Sequence, residues 1–534
     1  MRFSTMTLGC KTNQYETGAI ENILCVRGHE VVALGEGCDV CILNTCAVTA
    51  ESVRKSRQAV RRMKKLEPEA KIAVCGCFSQ LEPEAMEALE VDIISGTKDR
   101  KGFALMVESL VSGGGERKSD ESLFGQGIRR HQAVCPEFFA STGLVALLTR
   151  KISDTPLDDG CPVKDDGDST RQKEKLMYKA SSQQIEELPP GGNSSRTRAL
   201  LKIQDGCDNF CTYCVIPLAR GHSRSLPPER IAEYAARLDM QGYKEIIITG
   251  IEISSYGKDL GSGNGSGSDD GSGSDSSGGD NSNDNGDVRG IDGKNKTISS
   301  PITVIDAIQT IHAAAPNVRL RLGSLDPSIM TDDFIKRLSK IPKLCNHFHL
   351  SLQSGCDETL RRMGRKYDTS RVKQAISSIR AHNADCGITA DLITGFPGET
   401  EAEFEQTLSF IRAAKFTDMH VFPFSMRPGT KAAKMPGQLD KKIKKERVRI
   451  ATDVANDMAY GFKKSQVGKT VEVLFEKEKG GYSIGHSGNY LEIAVKGKFD
   501  KNSIYNVRIM DVDSNANSGN AENTKSSQMQ GEII

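Results

Sequence analysis

Cys207, Cys211 and Cys214 stand in the run Gln204-Asp-Gly-Cys207-Asp-Asn-Phe-Cys211-Thr-Tyr-Cys214, a C-x3-C-x2-C spacing that puts three thiols on one short loop. Thiolates are the ligands of iron–sulfur clusters, which normally take four cysteines. Three ligands leave one iron open, and an open coordination position marks a catalytic rather than a structural metal site. Phe210 and Tyr213 are expected to shield such a cluster from water, since solvent exposure helps set its potential. A zinc knuckle is the competing reading. It wants a fourth Cys or His close in sequence, and the nearest, His222, is poorly placed.

A second set lies near the start. Cys10, Cys46 and Cys77 each follow a strand-like run, at residues 2–8, 40–44 and 71–74. In a parallel sheet the carboxyl ends of neighbouring strands share one crevice, so these thiols could converge. Cys38, Cys41 and Cys75 are rivals. Cys41 lies inside a strand, where a buried packing cysteine is common. Cys75 should point to the opposite face from its neighbours. Geometry ranks Cys10, Cys46 and Cys77 ahead.

The elements that must position these residues are legible as a βα rhythm. Residues 1–112 alternate strands (2–8, 31–33, 40–44, 71–74, 92–94) with helices (15–27, 51–66), which predicts an open, mostly parallel α/β sheet. The rhythm lapses over 113–195, which reads as a linker or insertion holding Cys135 and Cys161 as free cysteines. It resumes over 196–440, with strands at 200–204, 245–249, 318–322, 347–352, 388–393 and 419–424. Six βα units predict a partial barrel with its chemistry at the carboxyl ends of the strands. Residues 261–295 are dominated by Gly, Ser, Asp and Asn and read as a disordered insertion. A basic helical connector follows at 441–464, then alternating short strands over 465–513 that predict a small β-barrel. Residues 514–534 read as a loose polar tail.

At 534 residues the chain has room for three or four units, at roughly 100–200 residues each. Its net charge of +1 gives no global pull toward nucleic acid, so any RNA contact must come from local patches. Candidates are the basic groups at 361–366 and 441–449 and the rings of Tyr482 and Tyr490, each with solvated or structural alternatives. Fifteen cysteines with no secretory leader or apolar span point to a reducing, cytoplasmic setting with no membrane contact, where clustered cysteines bind metal.

The Cys207–Cys214 motif, with an aromatic residue before its last cysteine, resembles the signature of the radical S-adenosylmethionine superfamily. That resemblance implies a 4Fe–4S cluster whose open iron chelates S-adenosylmethionine and cleaves it to a 5′-deoxyadenosyl radical. It also implies cofactor contacts at the strand ends, here Thr249, Gly250, Ser324, Gln353, Ser354, Gly395 and Pro397, each of which has simple turn chemistry as its alternative.

Thr7-Leu-Gly-Cys-Lys-Thr-Asn-Gln-Tyr-Glu16, Asn44-Thr-Cys-Ala-Val48 and Gly76-Cys77 resemble the N-terminal domain of the methylthiotransferases. This resemblance selects Cys10, Cys46 and Cys77 as the ligands of a second 4Fe–4S cluster, which delivers sulfur. It identifies the last barrel as a TRAM domain, an OB-like RNA-binding module. The resulting fold class is α/β: an open parallel N-terminal domain, a radical SAM partial barrel and a small C-terminal β-barrel.

Cys10-Lys-Thr-Asn-Gln-Tyr-Glu16 and Ile248-Thr-Gly-Ile-Glu-Ile-Ser-Ser-Tyr-Gly257 are similar to the subfamily acting on tRNA that carries N6-threonylcarbamoyladenosine. The implied reaction replaces the C2 hydrogen of that adenine, at tRNA position 37, with a methylthio group. A flavodoxin- or ferredoxin-type electron donor and a sulfur source are implied partners. The alternatives are isopentenyladenosine tRNA or a ribosomal protein as substrate, or a non-catalytic iron–sulfur or zinc RNA-binding protein.

Overall fold

The computed structural model describes residues 1–111, 184–190, 197–260, 302–512 and 529–534. The first domain runs β1 (Arg2–Thr7), α1 (Lys11–Val26), β2 (Glu30–Val31), β3 (Val40–Thr45), α2 (Ala50–Leu66), β4 (Lys71–Gly76), α3 (Cys77–Leu81), α4 (Pro83–Glu87), β5 (Ile93–Ile94) and α5 (Arg100–Val111). The strands form one parallel sheet in the order β2-β1-β3-β4-β5. β3 is buried along its whole length, as a central strand covered by helices on both faces must be. Its side chains alternate between faces. Val40 and Ile42 join Ile20, Leu24 and Phe103 of α1 and α5, whereas Cys41 and Leu43 join Val53, Val60 and Met63 of α2. Thr49 caps α2 by accepting from Ser52 N at 3.0 Å.

The central domain comprises β6 (Ala199–Lys202), β7 (Gln204–Asp205), α6 (Ile216–Arg220), β8 (Arg224–Ser225), α7 (Pro228–Met240), β9 (Glu245–Thr249), α8 (Val304–Ala314), β10 (Arg319–Leu322), β11 (Ser324–Leu325), α9 (Asp332–Leu338), β12 (His347–Gln353), α10 (Asp357–Met363), α11 (Thr369–His382), β13 (Gly387–Thr394), α12 (Glu401–Ala414) and β14 (Asp418–Pro423). Two parallel sheets, β10-β9-β6 and β11-β12-β13-β14, meet where the chain passes from β10 to β11. Together they make an open half-barrel around Leu201, Ile248, Leu320, Leu350, Ile388 and Leu392. α8 opens on a capping box, with Thr303 N donating to Asp306 Oδ2 at 2.8 Å.

α13 (Lys441–Ser465) packs on β14 and α12 and leads to β15 (Thr470–Lys479), β16 (Tyr482–Ser487), β17 (Glu492–Lys496), β18 (Ile504–Val512) and β19 (Met529–Ile533). These five strands close a barrel in the order β15-β16-β17-β19-β18. The polar tail expected over 514–534 therefore needs correction. Its last residues bridge β17 and β18, with Met529 buried in the barrel core. Five residues of mixed polarity become a strand because both partners offer unpaired backbone, a non-local cause that local pattern does not carry.

The barrel docks on the amino ends of the half-barrel strands. Glu245 lies buried between Arg319 (2.5 Å) and Arg321 (2.7 Å), and both arginines also donate to barrel carbonyls, including those of His486 and Ser487. Tyr490 stacks on His347 at 4.7 Å, beneath the Arg321 guanidinium.

Within the stretch 113–195, read as a linker with some ordered pieces, residues 184–190 are described. That segment is packed, with Leu188 buried and its carbonyl accepting from the Tyr15 hydroxyl at 2.6 Å. The rest of that linker, Cys135, Cys161 and the insertion expected over 261–295 lie outside the described residues. Among the described residues no helix is long and apolar enough to cross a membrane.

Candidate functional site

The carboxyl end of β6 turns through the short β7/β8 hairpin, and between those strands lies the loop of Cys207, Cys211 and Cys214. Gly206 permits the turn. Its φ is +70°, and a Cβ there would meet the His222 carbonyl oxygen at 1.9 Å. The loop is tied down at several points. Cys207 N donates to Gly221 O (3.1 Å), Thr212 N to Met363 O (2.9 Å) and Ala432 N to Thr212 O (2.8 Å). Burial pushes the Cys207 thiol up to about 11 and the Cys214 thiol up to about 12. Such thiols ionise only when a cation compensates them, as iron does.

Arg365 Nη1 donates to Cys211 Sγ at 3.3 Å, and its Nη2 pairs with Asp326 at 3.0 Å. Of the two rings expected to exclude water, only Tyr213 is turned inward, packing edge-on to Phe396. Phe210 is a correction. At φ +48° its side chain is thrown outward and remains 55% exposed. His222 faces solvent and pairs with Asp208 at 2.6 Å, away from the thiols' ligand set.

The second triad gathers at the carboxyl ends of β1, β3 and β4, which are adjacent in the sheet. Cys10 is the N-cap of α1, Cys46 directly follows β3 and Cys77 is the first residue of α3. A Cβ on Gly9 would lie 3.0 Å from Cys46 Sγ, so the β1–α1 turn presses on that sulfur. Cys46 and Cys77 are buried and Cys10 is exposed. Burial raises the Cys77 thiol to about 12. Arg220 opposes that shift, while Cys10 and Cys46 add to it. Cys38 and Cys41 lie together, Sγ to Sγ 3.5 Å, at the other end of the sheet. Cys75 faces the opposite side, among Phe3, Ile20 and Phe103.

Among the described residues no three His, Cys, Asp or Glu side chains gather tightly enough for a single metal ion. The donor chemistry of each triad, three thiols and no carboxylate or imidazole, suits an iron–sulfur cluster.

The strand-end residues divide by what they already do. Thr249 is buried at the end of β9, and Ser324 and Gln353 are half-buried at β11 and at the end of β12, on the side of the Cys207 loop. Gly250 sits where a Cβ would meet Gln204 O at 2.9 Å, and the Gln204 amide oxygen accepts from Ile251 N and Glu252 N. Ser354 is buried and commits its hydroxyl to Thr407 and to Cys356 N. Gly395 lies under Lys444 of α13 and donates to Glu399, and Pro397 is buried beside it, so this loop seats α13.

Two groups near the triads have no role in the sequence reading, although Glu16 and Glu252 lie within the motifs that carry the resemblance. Glu252 is buried, and its carboxyl is pushed up to about 7 by burial and by neighbouring Asp326. A set of buried ions (Glu16, Arg100, Lys202, Asp205, Arg220) fills the joint between the first two domains. The basic run on α13 is also partly spoken for. Arg447 is buried on Glu399 (2.7 Å), and Arg449 pairs with Glu446 and Asp453.

A half-barrel with three thiols on the loop after its first strand is the architecture of a radical SAM enzyme. Residues 201–411 match the model of the Radical SAM superfamily, and residues 2–96 match Uncharacterized protein family UPF0004. The Bacillus subtilis threonylcarbamoyladenosine tRNA methylthiotransferase MtaB is 31% identical over 500 residues, covering 92% of this chain and 90% of that protein. Its Thermotoga maritima namesake is 30% identical, covering 88% and 85%. The B. subtilis tRNA-2-methylthio-N(6)-dimethylallyladenosine synthase is 29% identical, covering 89% and 76%. The chain belongs to the radical SAM methylthiotransferases. Membership implies a 4Fe–4S cluster and S-adenosylmethionine.

Proposed function

We propose that this enzyme methylthiolates C2 of N6-threonylcarbamoyladenosine at position 37 of tRNA, using a radical cluster on Cys207, Cys211 and Cys214 and a second cluster on Cys10, Cys46 and Cys77. The observation that carries the reading is the placement of two three-thiol sites at the carboxyl ends of two parallel sheets that are joined through buried side chains. The substrate rests on the Cys10–Glu16 motif and on relatives of that name at 30–31% identity. Dimethylallyladenosine tRNA is the second reading, because relatives named for it are 29% identical.

When bound, the radical cluster and S-adenosylmethionine supply a carbon radical able to abstract an unactivated hydrogen, which no side-chain base in the site could remove. The protein's own part is to hold and to dry. Tyr213 and Phe396 close one side of the Cys207 loop. Arg365 bridges Cys211 to Asp326 and so fixes the loop against β12 and α10. A one-electron donor and a sulfur source complete the expected partners.

Nucleoside mass spectrometry of tRNA from cells with and without the gene tests the substrate. Loss of the methylthio-threonylcarbamoyl nucleoside with accumulation of its precursor supports the reading. Loss of the isopentenyl counterpart instead transfers the function to the second reading.

A further inference from the structure

Arg220 ends α6, six residues after Cys214, and is fully buried. Its Nη1 donates to Glu16 Oε1 (2.7 Å) and Asp205 Oδ1 (2.9 Å), and its Nη2 to Asn13 Oδ1 (2.7 Å) and Glu16 Oε2 (3.1 Å). Asn13 and Glu16 lie on the first turns of α1, the helix that Cys10 caps. Asp205 lies two residues before Cys207. One guanidinium therefore joins the element that starts at the first triad to the loop that holds the second.

Among the described residues the charges of this joint do not balance. Glu16 and Asp205 are its two carboxylates. Arg100 (2.8 Å from Glu16), Lys202 (3.1 Å from both) and Arg220 are its cations in hydrogen-bond contact, and Arg224 stands 3.9 Å from Asp205. An excess positive charge in a buried interior is costly unless an anion faces it. Among the described residues Arg220 Nε also has no hydrogen-bond partner, although its side chain is fully buried. The geometry leads from Arg220 to the first triad: Asn13 Oδ1, which accepts from Arg220 Nη2, stands 3.8 Å from Cys10 Sγ, and Ala219 beside Arg220 packs in one cluster with Cys77. A 4Fe–4S cluster on three thiolates carries net negative charge, and its sulfurs accept hydrogen bonds that raise its potential.

We propose that Arg220 is a positioning residue that couples the two cysteine sites: it clamps α1 to the Cys207 loop and supplies the buried positive charge that balances, and raises the potential of, a cluster on Cys10, Cys46 and Cys77. The proposal rests on the two-cluster reading above but is independent of which tRNA is the substrate.

The test uses the full chain with Cys207, Cys211 and Cys214 changed to Ala, reconstituted with iron and sulfide so that only the first triad can hold a cluster. A redox titration followed by electron paramagnetic resonance compares it with the same chain carrying Arg220→Met, Arg220→Lys or Lys202→Met. The expected result is a clear shift to more negative potential for Arg220→Met, a smaller one in the same direction for Lys202→Met, and partial recovery for Arg220→Lys. An unmoved potential in a variant that retains its iron overturns the proposal. If Arg220→Met does not fold, the lysine variant and Lys202→Met decide the matter alone. Failure of the parent chain to bind iron sinks the two-cluster reading instead, which separates the two failures. In the otherwise intact enzyme, Arg220→Lys should release more 5′-deoxyadenosine per methylthiolated nucleoside. Parallel loss of both products would reduce the clamp to a general structural role.

Discussion

Arg365 and Cys211 meet at 3.3 Å, guanidinium to sulfur, although 154 residues separate them in the chain. The same guanidinium holds Asp326 and lies over the Tyr367 ring, and the residue is almost wholly buried. Charge-assisted contacts to a ligand sulfur orient that ligand, and their loss typically costs about 10–100-fold in metal affinity or activity. Arg365→Met should therefore lower S-adenosylmethionine cleavage by about tenfold or more. It should also destabilise the fold by roughly 3–5 kcal/mol, because Asp326 would be left without its buried partner. Steady-state 5′-deoxyadenosine release and urea unfolding measure the two effects separately. Unchanged cleavage in a folded variant would remove Arg365 from the site.

Single Cys→Ala changes should sort nine of the thirteen described cysteines into three groups. Loss of Cys207, Cys211 or Cys214 should abolish S-adenosylmethionine cleavage and remove about four irons per chain. Loss of Cys10, Cys46 or Cys77 should remove a similar amount of iron, leave cleavage in place and stop sulfur transfer. Cys38→Ala, Cys41→Ala and Cys75→Ala should keep full iron, since Cys38 and Cys41 pair at the other end of the sheet and Cys75 packs on its opposite face. Iron and sulfide analysis beside a cleavage assay gives the pattern, and full iron in Cys77→Ala would overturn the second cluster.

The positions of the six cysteines in the fold were legible because each is announced locally. One triad lies on a single loop and the other follows three strand-like runs, whereas the adjacency of β1, β3 and β4 came only with the fold. The joint was not legible, since Glu16 and Arg220 stand 204 residues apart and neither spacing nor period says that they meet. Phe210 misled for a related reason: sequence shows an aromatic beside a cysteine, whereas the positive φ that turns it outward belongs to the folded loop. Met529–Ile533 has little strand pattern of its own and takes its conformation from β17 and β18. Interactions set by neighbours in sequence were readable, and those set by neighbours in space were not.

Glu245 links pH to the docking of the last barrel. Burial alone would raise its carboxyl, but Arg321 and Arg319 outweigh burial and hold it at about 2. A carboxyl depressed in the folded state adds stability that is present above the unfolded value near 4.5 and disappears as pH falls toward 2. The full contribution is about 3 kcal/mol, at 1.36 kcal/mol per unit. Glu245→Gln should thus be much less stable than the natural chain at pH 7, and the gap should narrow as pH drops below 4.5. Urea unfolding of both proteins across that range checks it, and a gap independent of pH would contradict the ion-pair account.

Tyr490 and the lysines of α13 should separate docking from RNA contact. Tyr490 lies between the His347 ring (4.7 Å) and the guanidinium groups of Arg321 (4.9 Å) and Arg198 (5.7 Å), so its faces are already used inside the protein. Tyr490→Ala should cost on the order of 2 kcal/mol of stability, less than a fully buried aromatic would. It should leave the salt dependence of tRNA binding unchanged. Lys441, Lys442 and Lys445 are exposed on α13, and the Arg447 and Arg449 charges beside them are answered by acids. If these lysines neutralise phosphates, each change to Ala should weaken binding of all tRNA sequences alike and reduce the slope of log affinity against log salt by about one. Filter binding across a salt series gives that slope. A slope unmoved in the triple variant would place the phosphate contacts elsewhere on the molecule, and one altered by Tyr490→Ala would mean that the barrel leaves its dock to meet RNA.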